Sequence, residues 1–417
     1  MSGRVKAGLT TGSRARGFGG GWRRRRAGAT SVEMESDLAE TLTAWRRHLH
    51  AHPSLTLQEG PTAAYVAARL REMGVEVAEG VGGHGVVGTL RRAGAAGNRA
   101  VGLRADMDAL PIEERNPELP HRSAIPGVMH ACGHDGHTAA LLGAAALLAR
   151  DPEWSGTVRL VFQPAEEGGG GARSMLADGL LQRFPMERIF GWHNWPGLAA
   201  GTIAVHDSAV MAAGARFEIG FEGHAGHAAL PHLTRDPMLG LGHCIVALQS
   251  VVARTLDPLD PGVLSVTMAE AGEAQNQVPR TATLRGTMRF LRPATGAAME
   301  GALRRIARGI AEVFNLHETV AMRPGVPVTV NHPAERELAA GAAASVTALR
   351  RDLPPAMTGE DFAWYLQEVP GAFVWIGNGP AAGGRELHSP DYDFNDAILP
   401  VASRWLAEVA KRSLAGN

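Results

Sequence analysis

Lysine is nearly missing from this chain: of 41 basic residues only Lys6 and Lys411 are lysines, both close to the ends. A phosphate loop of the G-x-x-x-x-G-K-[ST] type and an internal Schiff-base lysine are therefore excluded. Cysteine is as scarce. Cys132 and Cys244 cannot build a four-cysteine zinc site or a disulfide framework, so the sequence fits a reducing, cytoplasmic compartment. A G-x-S-x-G elbow is absent, which weakens a serine-hydrolase reading. Long apolar runs are absent too: the longest, Thr138 to Ala149, is too short to span a bilayer.

Acidic residues are missing from the start. Eight bases (Arg4, Lys6, Arg14, Arg16 and Arg23 to Arg26) precede the first acid, Glu33. Setting them aside leaves 33 bases against 42 acids, so a formal charge of −1 conceals a mildly acidic body. Such a body is a poor nucleic-acid surface. Residues 1–35 combine Gly, Ser, Thr and Arg without apolar periodicity and read as a disordered basic extension, with Met34 as an alternative start. The extension has no apolar core of a secretory signal.

At 417 residues and 45% hydrophobic content, two domains are expected. Apolar runs such as "AVGLRAD", "GTVRLVFQ", "ERIFGWHN" and "GAFVWIGNG" alternate with helical stretches, the pattern of an α/β sheet with helices on both faces. Ligands of such sheets gather at the carboxyl ends of the strands. Asp106 and Asp108, Glu166 and Glu167, and His193 all fall just beyond strand-like runs. Between residues 211 and 330 the order becomes β-α-β-β-α-β, that of a ferredoxin-like α+β domain. The division expected is 36–210 and 331–417 for one catalytic domain and 211–330 for an insertion.

Two clusters carry chemistry most directly. "CGH" places Cys132 and His134 on either side of a glycine, ahead of a buried helix from about Gly136 to Arg150. A tight bend there lets thiolate and imidazole address one metal centre. In "QPAEE", Glu166 and Glu167 point apart, so one can bind metal while the other moves protons, as metal-assisted hydrolysis requires. "GVGGHG" at residues 80–85 matches a dinucleotide fingerprint by letter, but a strand-like "VVGTL" follows where a helix is needed. His243 and Cys244 sit in an apolar helical run and read as core; His48, His50 and His52 read as a helix end at the surface or a cap. His130 and His137 are open.

Taken together, "RADMDALP", "MHACGHDGHTA", "FQPAEEGGGGA", "GWHNWPG", "GHAALPH", "NQVP", "GTMRF", "GEDFAWY" and "LHSPDYDFND" resemble the M20 metallopeptidase family. The likeness is to its amidohydrolase branch of hippurate, N-acyl-amino-acid and auxin-conjugate hydrolases, and runs from about Asp37 to the end. It implies a mixed-sheet di-metal peptidase domain with an inserted lid and dimerisation domain. It implies two divalent ions (Mn, Zn, Ni or Co) held by Cys132, His134, Glu167, His193 and His388, with Glu166 as general base. It also implies a carbonyl-directed role for His227, often across a dimer interface, and substrate contacts from Asn276 and Arg289. Asp106 and Asp108 would orient the ligands from behind.

The function so implied is cleavage of an N-acyl-amino acid by a homodimer or homotetramer with no membrane or nucleic-acid partner on the folded body. The sequence departs from the resemblance at "HPSL" and at His224, where relatives tend to carry an acid and a lysine. Three rivals remain: a cysteine amidase with Cys132 as nucleophile, a non-catalytic metal or small-molecule binder, and RNA binding through the basic start.

Overall fold

The computed structural model describes residues 31–95, 97–383 and 385–415; residues 1–30 of the expected extension lie outside them. The chain runs through α1 (Ser31–Ala51), α2 (Gly60–Glu72), β1 (Glu76–Val81), β2 (Gly85–Arg92), β3 (Ala100–Asp106), α3 (His134–Arg150) and β4 (Gly156–Gln163). It continues with α4 (Gly171–Ala177), α5 (Leu180–Arg183), β5 (Arg188–Pro196), and the short β6 (Ile203–Ala204) and β7 (Ala209–Met211). Next come β8 (Ala213–Glu222), β9 (Gly226–His227), α6 (Pro237–Ser250), β10 (Gly262–Ala271), β11 (Gln277–Val278), β12 (Thr281–Phe290), α7 (Pro293–Phe314) and β13 (His317–Pro324). The last part holds β14 (Thr329–Val330), α8 (Pro333–Val346), β15 (Leu349–Arg350), α9 (Ala363–Glu368), β16 (Gly371–Gly379) and α10 (Leu399–Ala415).

Eight strands form a mixed sheet in the order β1-β2-β4-β3-β5-β16-β6-β15. Its centre, β4-β3-β5-β16, is parallel. Those strands are buried on both faces, which is why they read as unbroken apolar runs. Helices α1, α2, α3, α8 and α10 build one core against the sheet, and α4 and α9 contribute to the core on the other side. The glycines of "GVGGHG" form the β1–β2 hairpin turn, with Gly80, Gly82 and Gly83 at φ of 76°, 65° and 106°. Those positive angles account for the glycines without a nucleotide.

Helix α3 is buried on almost its whole circumference. Gly136 lies against the Phe394 ring, and Gly143 against Ser403 and Leu42. Burying leucines such as Leu141, Leu142 and Leu148 there is worth about 1.5–3 kcal/mol each, which holds the helix mouth in place under the strand ends.

Residues 213–324 make a separate antiparallel sheet, β10-β12-β8-β13, in the β-α-β-β-α-β order read from the sequence. Phe217, Ile219, Phe221, Leu284 and Met288 of the sheet pack with Leu241, Cys244 and Leu248 of α6 and Met299 and Leu303 of α7. Cys244 is core, as expected; His243 is instead exposed, its ring 5.0 Å from that of Phe314. The stretch Pro237–Thr255 is long and apolar enough to cross a membrane by composition, with mean hydropathy 1.3, but Leu241, Cys244, Leu248 and Val251 pack in this domain's core.

Candidate metal centre

The clusters around Asp106, Cys132, Glu166 and His193 arrive at the carboxyl edge of the parallel strands. Gly133 caps α3 at φ 91°, and a Cβ there would run into the Asn194 carboxamide and the Tyr392 hydroxyl. This left-handed bend starts the helix at His134, two residues before the expected Gly136, and turns Cys132 and His134 into one cavity. Cys132, His134 and His193 offer donor atoms all within 4.8 Å of one another, as do Cys132, Glu167 and His388, and as do His134, Glu166 and Glu167.

In His134 and His193 a hydrogen bond on one ring nitrogen selects the other as the free one. His134 Nδ1 donates to the Asp108 carbonyl (2.9 Å), and His193 Nδ1 to the Asn194 carbonyl (2.7 Å). Their Nε2 atoms face inward, His193 Nε2 at 3.4 Å from Cys132 Sγ and His134 Nε2 at 4.0 Å from Glu167 Oε1. His388 reaches the cluster on a loop whose backbone N–H is tied to the Ala131 carbonyl (2.9 Å), with Nε2 at 3.3 Å from Glu167 Oε1. Its φ of 62° and that of Ala165, 55°, place non-glycine residues in the left-handed region. Such strain is held where surrounding contacts over-determine the backbone.

Asp108 does more than orient one histidine. Its carboxylate accepts the backbone N–H groups of Glu166 (3.1 Å) and Glu167 (2.9 Å) and the Thr56 hydroxyl (2.7 Å), so it shapes the whole acidic turn. Asp106 pairs with His137 Nδ1 (2.6 Å) and Arg104 Nη1 (2.8 Å). His137, left open by the sequence, has both ring nitrogens engaged, the second with Asn194 Oδ1 at 2.7 Å. His130 is buried, and burial pushes its pKa down to about 4.

Inside this cluster His134 Nε2 and Glu167 Oε1 are buried without a hydrogen-bond partner. Unpartnered donors of this kind, converging with a thiol and two further imidazoles, fit divalent cations, and the mixed N, O and S set suits borderline metals. Burial, then the Glu167 carboxylate, pushes the Cys132 thiol up. Burial, then Glu360 and Asp361, pushes the Glu166 carboxyl well above the ordinary range. For His134, the cost of burying charge is outweighed by Asp106 and Cys132, and its pKa rises.

The residues expected to touch substrate stand apart. His227 is exposed on β9, in a two-stranded ladder with β11, and its Nδ1 accepts the Ala229 N–H (3.1 Å). Asn276 is exposed beside it and accepts the Ala228 N–H through its carbonyl (2.9 Å). Arg289, on β12, reaches back to the catalytic half: its Nη1 borders the space in front of Gly359.

Sequence reasoning gave no role to Arg104, Gln163, Glu360 or Asp361, although "RADMDALP" and "GEDFAWY" both carry the resemblance. All four are buried. Burial, together with the neighbouring acids and against Arg104, lifts Glu360 to about 7 and Asp361 to about 6. His50 is a correction: it is fully buried rather than at the surface, with Nδ1 at 2.8 Å from Asp135 Oδ2 and Nε2 at 3.4 Å from Glu114 Oε1.

The family model of Peptidase family M20/M25/M40 matches residues 102–412. The chain belongs to this family. It is 38% identical to N-acetyl-L-cysteine deacetylase of Bacillus subtilis (strain 168), over 92% of this chain and 90% of that protein. It is 36% identical to hippurate hydrolase of Campylobacter jejuni, over 91% and 98% of the two chains. Among solved structures it resembles the YXEP protein of Bacillus subtilis, a dinuclear metal-binding peptidase of the M20 family, with TM-score 0.81, 35% identity, and coverage of 91% of this chain and 99% of that one. This M20 chain is a metallo-amidohydrolase, and its centre takes two divalent metal ions.

Proposed function

We propose that the protein hydrolyses the amide bond of N-acyl-amino acids, hippurate-like or N-acetylated, at a centre in which Cys132, His134, Glu167, His193 and His388 hold the two metals. Manganese, zinc, nickel and cobalt all suit that donor set. The bound ions would supply Lewis acidity, polarising the scissile carbonyl and making a water acidic near neutral pH. One observation carries the reading: Glu166 converges with His134 and Glu167, and one of its oxygens is held by the Asp361 N–H (3.2 Å), which suits a carboxylate kept for proton transfer beside the five proposed ligands. Glu166 takes a proton from the attacking water and returns it to the departing amide nitrogen. Asp106 and Asp108 orient the ligands from behind.

The inserted domain, residues 211–330, serves as a lid and dimerisation unit in this proposal. Because His227 Nδ1 accepts a hydrogen bond, the neutral ring carries its proton on Nε2 and can donate to a developing oxyanion once the lid closes. Asn276 and Arg289 contact the substrate from the same domain. The outer edge of β10 has no partner strand among the described residues and exposes Val263 and Met268, and α6 of the same domain exposes Met238, Leu239 and Val246. An unpaired apolar edge of this kind supports a homodimer. A reducing cytoplasm suits two buried free thiols, one of them a metal ligand.

The test is Glu166→Gln assayed on hippurate, N-acetyl-amino acids and indole-acetyl conjugates, with elemental analysis of the same samples. Turnover falls by about 100- to 10,000-fold while two metals per chain remain. Turnover within a few-fold of the wild type refutes the assignment.

A further inference from the structure

Behind Glu166 lies a charged corner that the reaction as described does not use. Arg104 is fully buried on β3 and spreads its guanidinium over four acceptors: Gln163 Oε1 (2.8 Å), Asp106 Oδ2 (2.8 Å), Glu360 Oε1 (2.9 Å) and Asp361 Oδ1 (3.0 Å). The Asp361 carboxylate also accepts from Gln163 Nε2 (2.7 and 2.9 Å) and the Ala172 N–H (3.0 Å). Glu360 Oε1 takes the Phe362 N–H as well (2.8 Å), which folds the segment back on itself. A residue bound this firmly cannot move its own backbone, and the backbone N–H of Asp361 is the group that donates to Glu166 Oε1.

Burying one cation among several carboxylates rarely adds net stability, so a role in fixing geometry explains the cluster better than a role in holding the fold. Glutamate has three rotatable side-chain bonds, and Glu166 follows a residue at φ 55° on a turn. Asp108 fixes its backbone, and Asp361 fixes one carboxylate oxygen, which leaves the other free to face the reacting water. The opposite side of the corner touches the inserted domain. A Cβ on Gly359 would meet Val326 Cγ2 at 2.8 Å and Arg289 Nη1 at 2.9 Å.

We infer that the 359–361 corner, clamped by Arg104, is the positioning element for Glu166, and that Arg104, Glu360 and Asp361 are positioning residues which act on turnover through that carboxylate. The inference rests on the reading of Glu166 as general base. It requires that disturbing the corner misplace the base and nothing else in the centre.

The experiment is a double-mutant cycle on the metal-loaded enzyme. Asp361→Asn removes a charged anchor of the N–H, and Glu360→Gln loosens the hold of Arg104 on the neighbouring residue without touching Arg289, so the second variant serves if the first does not fold. In the wild-type background each lowers kcat about 10- to 100-fold, with KM unchanged within about threefold. Metal stays at two per chain by elemental analysis. In a Glu166→Gln background the same changes have no further effect on kcat, because nothing remains for them to position. An equal fall in both backgrounds, an unchanged kcat, or a loss of metal overturns the inference. Wild-type turnover in Glu166→Gln alone overturns the general-base reading itself, and the inference with it, in a pattern distinct from the other three.

Discussion

Replacing His50 by glutamine probes a buried ion cluster behind the helix mouth, and the size of its effect should change with pH. His50 is fully buried at the end of α1, between Asp135 and Glu114, and Arg46 Nη1 lies 3.7 Å from the same Asp135 oxygen. Burial opposes a charge on the ring, but the hydrogen bonds to Asp135 and Glu114 outweigh it and raise the pKa to about 9. An unfolded histidine titrates near 6.5, so the gap corresponds to about 3 kcal/mol of stability. A raised folded-state pKa gives stability that is complete below about pH 6.5 and disappears as pH climbs through about 9. Glutamine leaves two buried carboxylates short of a cation, a loss of about 3–5 kcal/mol at pH 6. Urea unfolding of both proteins at pH 6, 7.5 and 9.5, with metal in excess, measures the difference. The wild-type advantage should be largest at pH 6 and shrink toward pH 9.5. A constant advantage across that range would show that His50 is not charged in the folded protein and would refute the reasoning.

Three more outcomes are expected. Gly133→Ala forces a side chain into a left-handed backbone and against Asn194 and Tyr392; it should lower stability by about 2 kcal/mol or more and reduce metal content, read by thermal unfolding and elemental analysis. EDTA should abolish activity and added manganese or zinc restore it, whereas activity that survives chelation and yields to iodoacetamide alone would make Cys132 the nucleophile. Excising residues 211–330 should leave metal bound and remove hydrolysis, and a shortened chain that still turns over substrate would end the role proposed for His227.

Legibility followed sequence distance. The spacing of Cys132, Gly133 and His134 is local, and so is the strain that bends it; the buried parallel strands and the β-α-β-β-α-β order announce themselves through their own periodicity. The burial of His50 is not legible because its partners lie 85 and 64 residues away, and nothing in "RRHLHAH" reveals a carboxylate waiting for it. The same holds for Arg104, whose acceptors Glu360 and Asp361 are 256 and 257 residues further along. The exposure of His243 is equally hidden, because an apolar helix pattern does not say which face a given turn presents.

By itself, then, the amino-acid order determined the fold class, the inventory of ligand-bearing residues and the chemistry those types can support, since propensity and patterning act over a few residues at a time. Only the tertiary structure decided which acid keeps a free oxygen, which imidazole nitrogen points inward, and what clamps the base. Those choices depend on hydrogen-bond partners brought together by the packing of β3, β4 and the Glu360–Asp361 segment, and such pairings are set when the whole chain closes around one core.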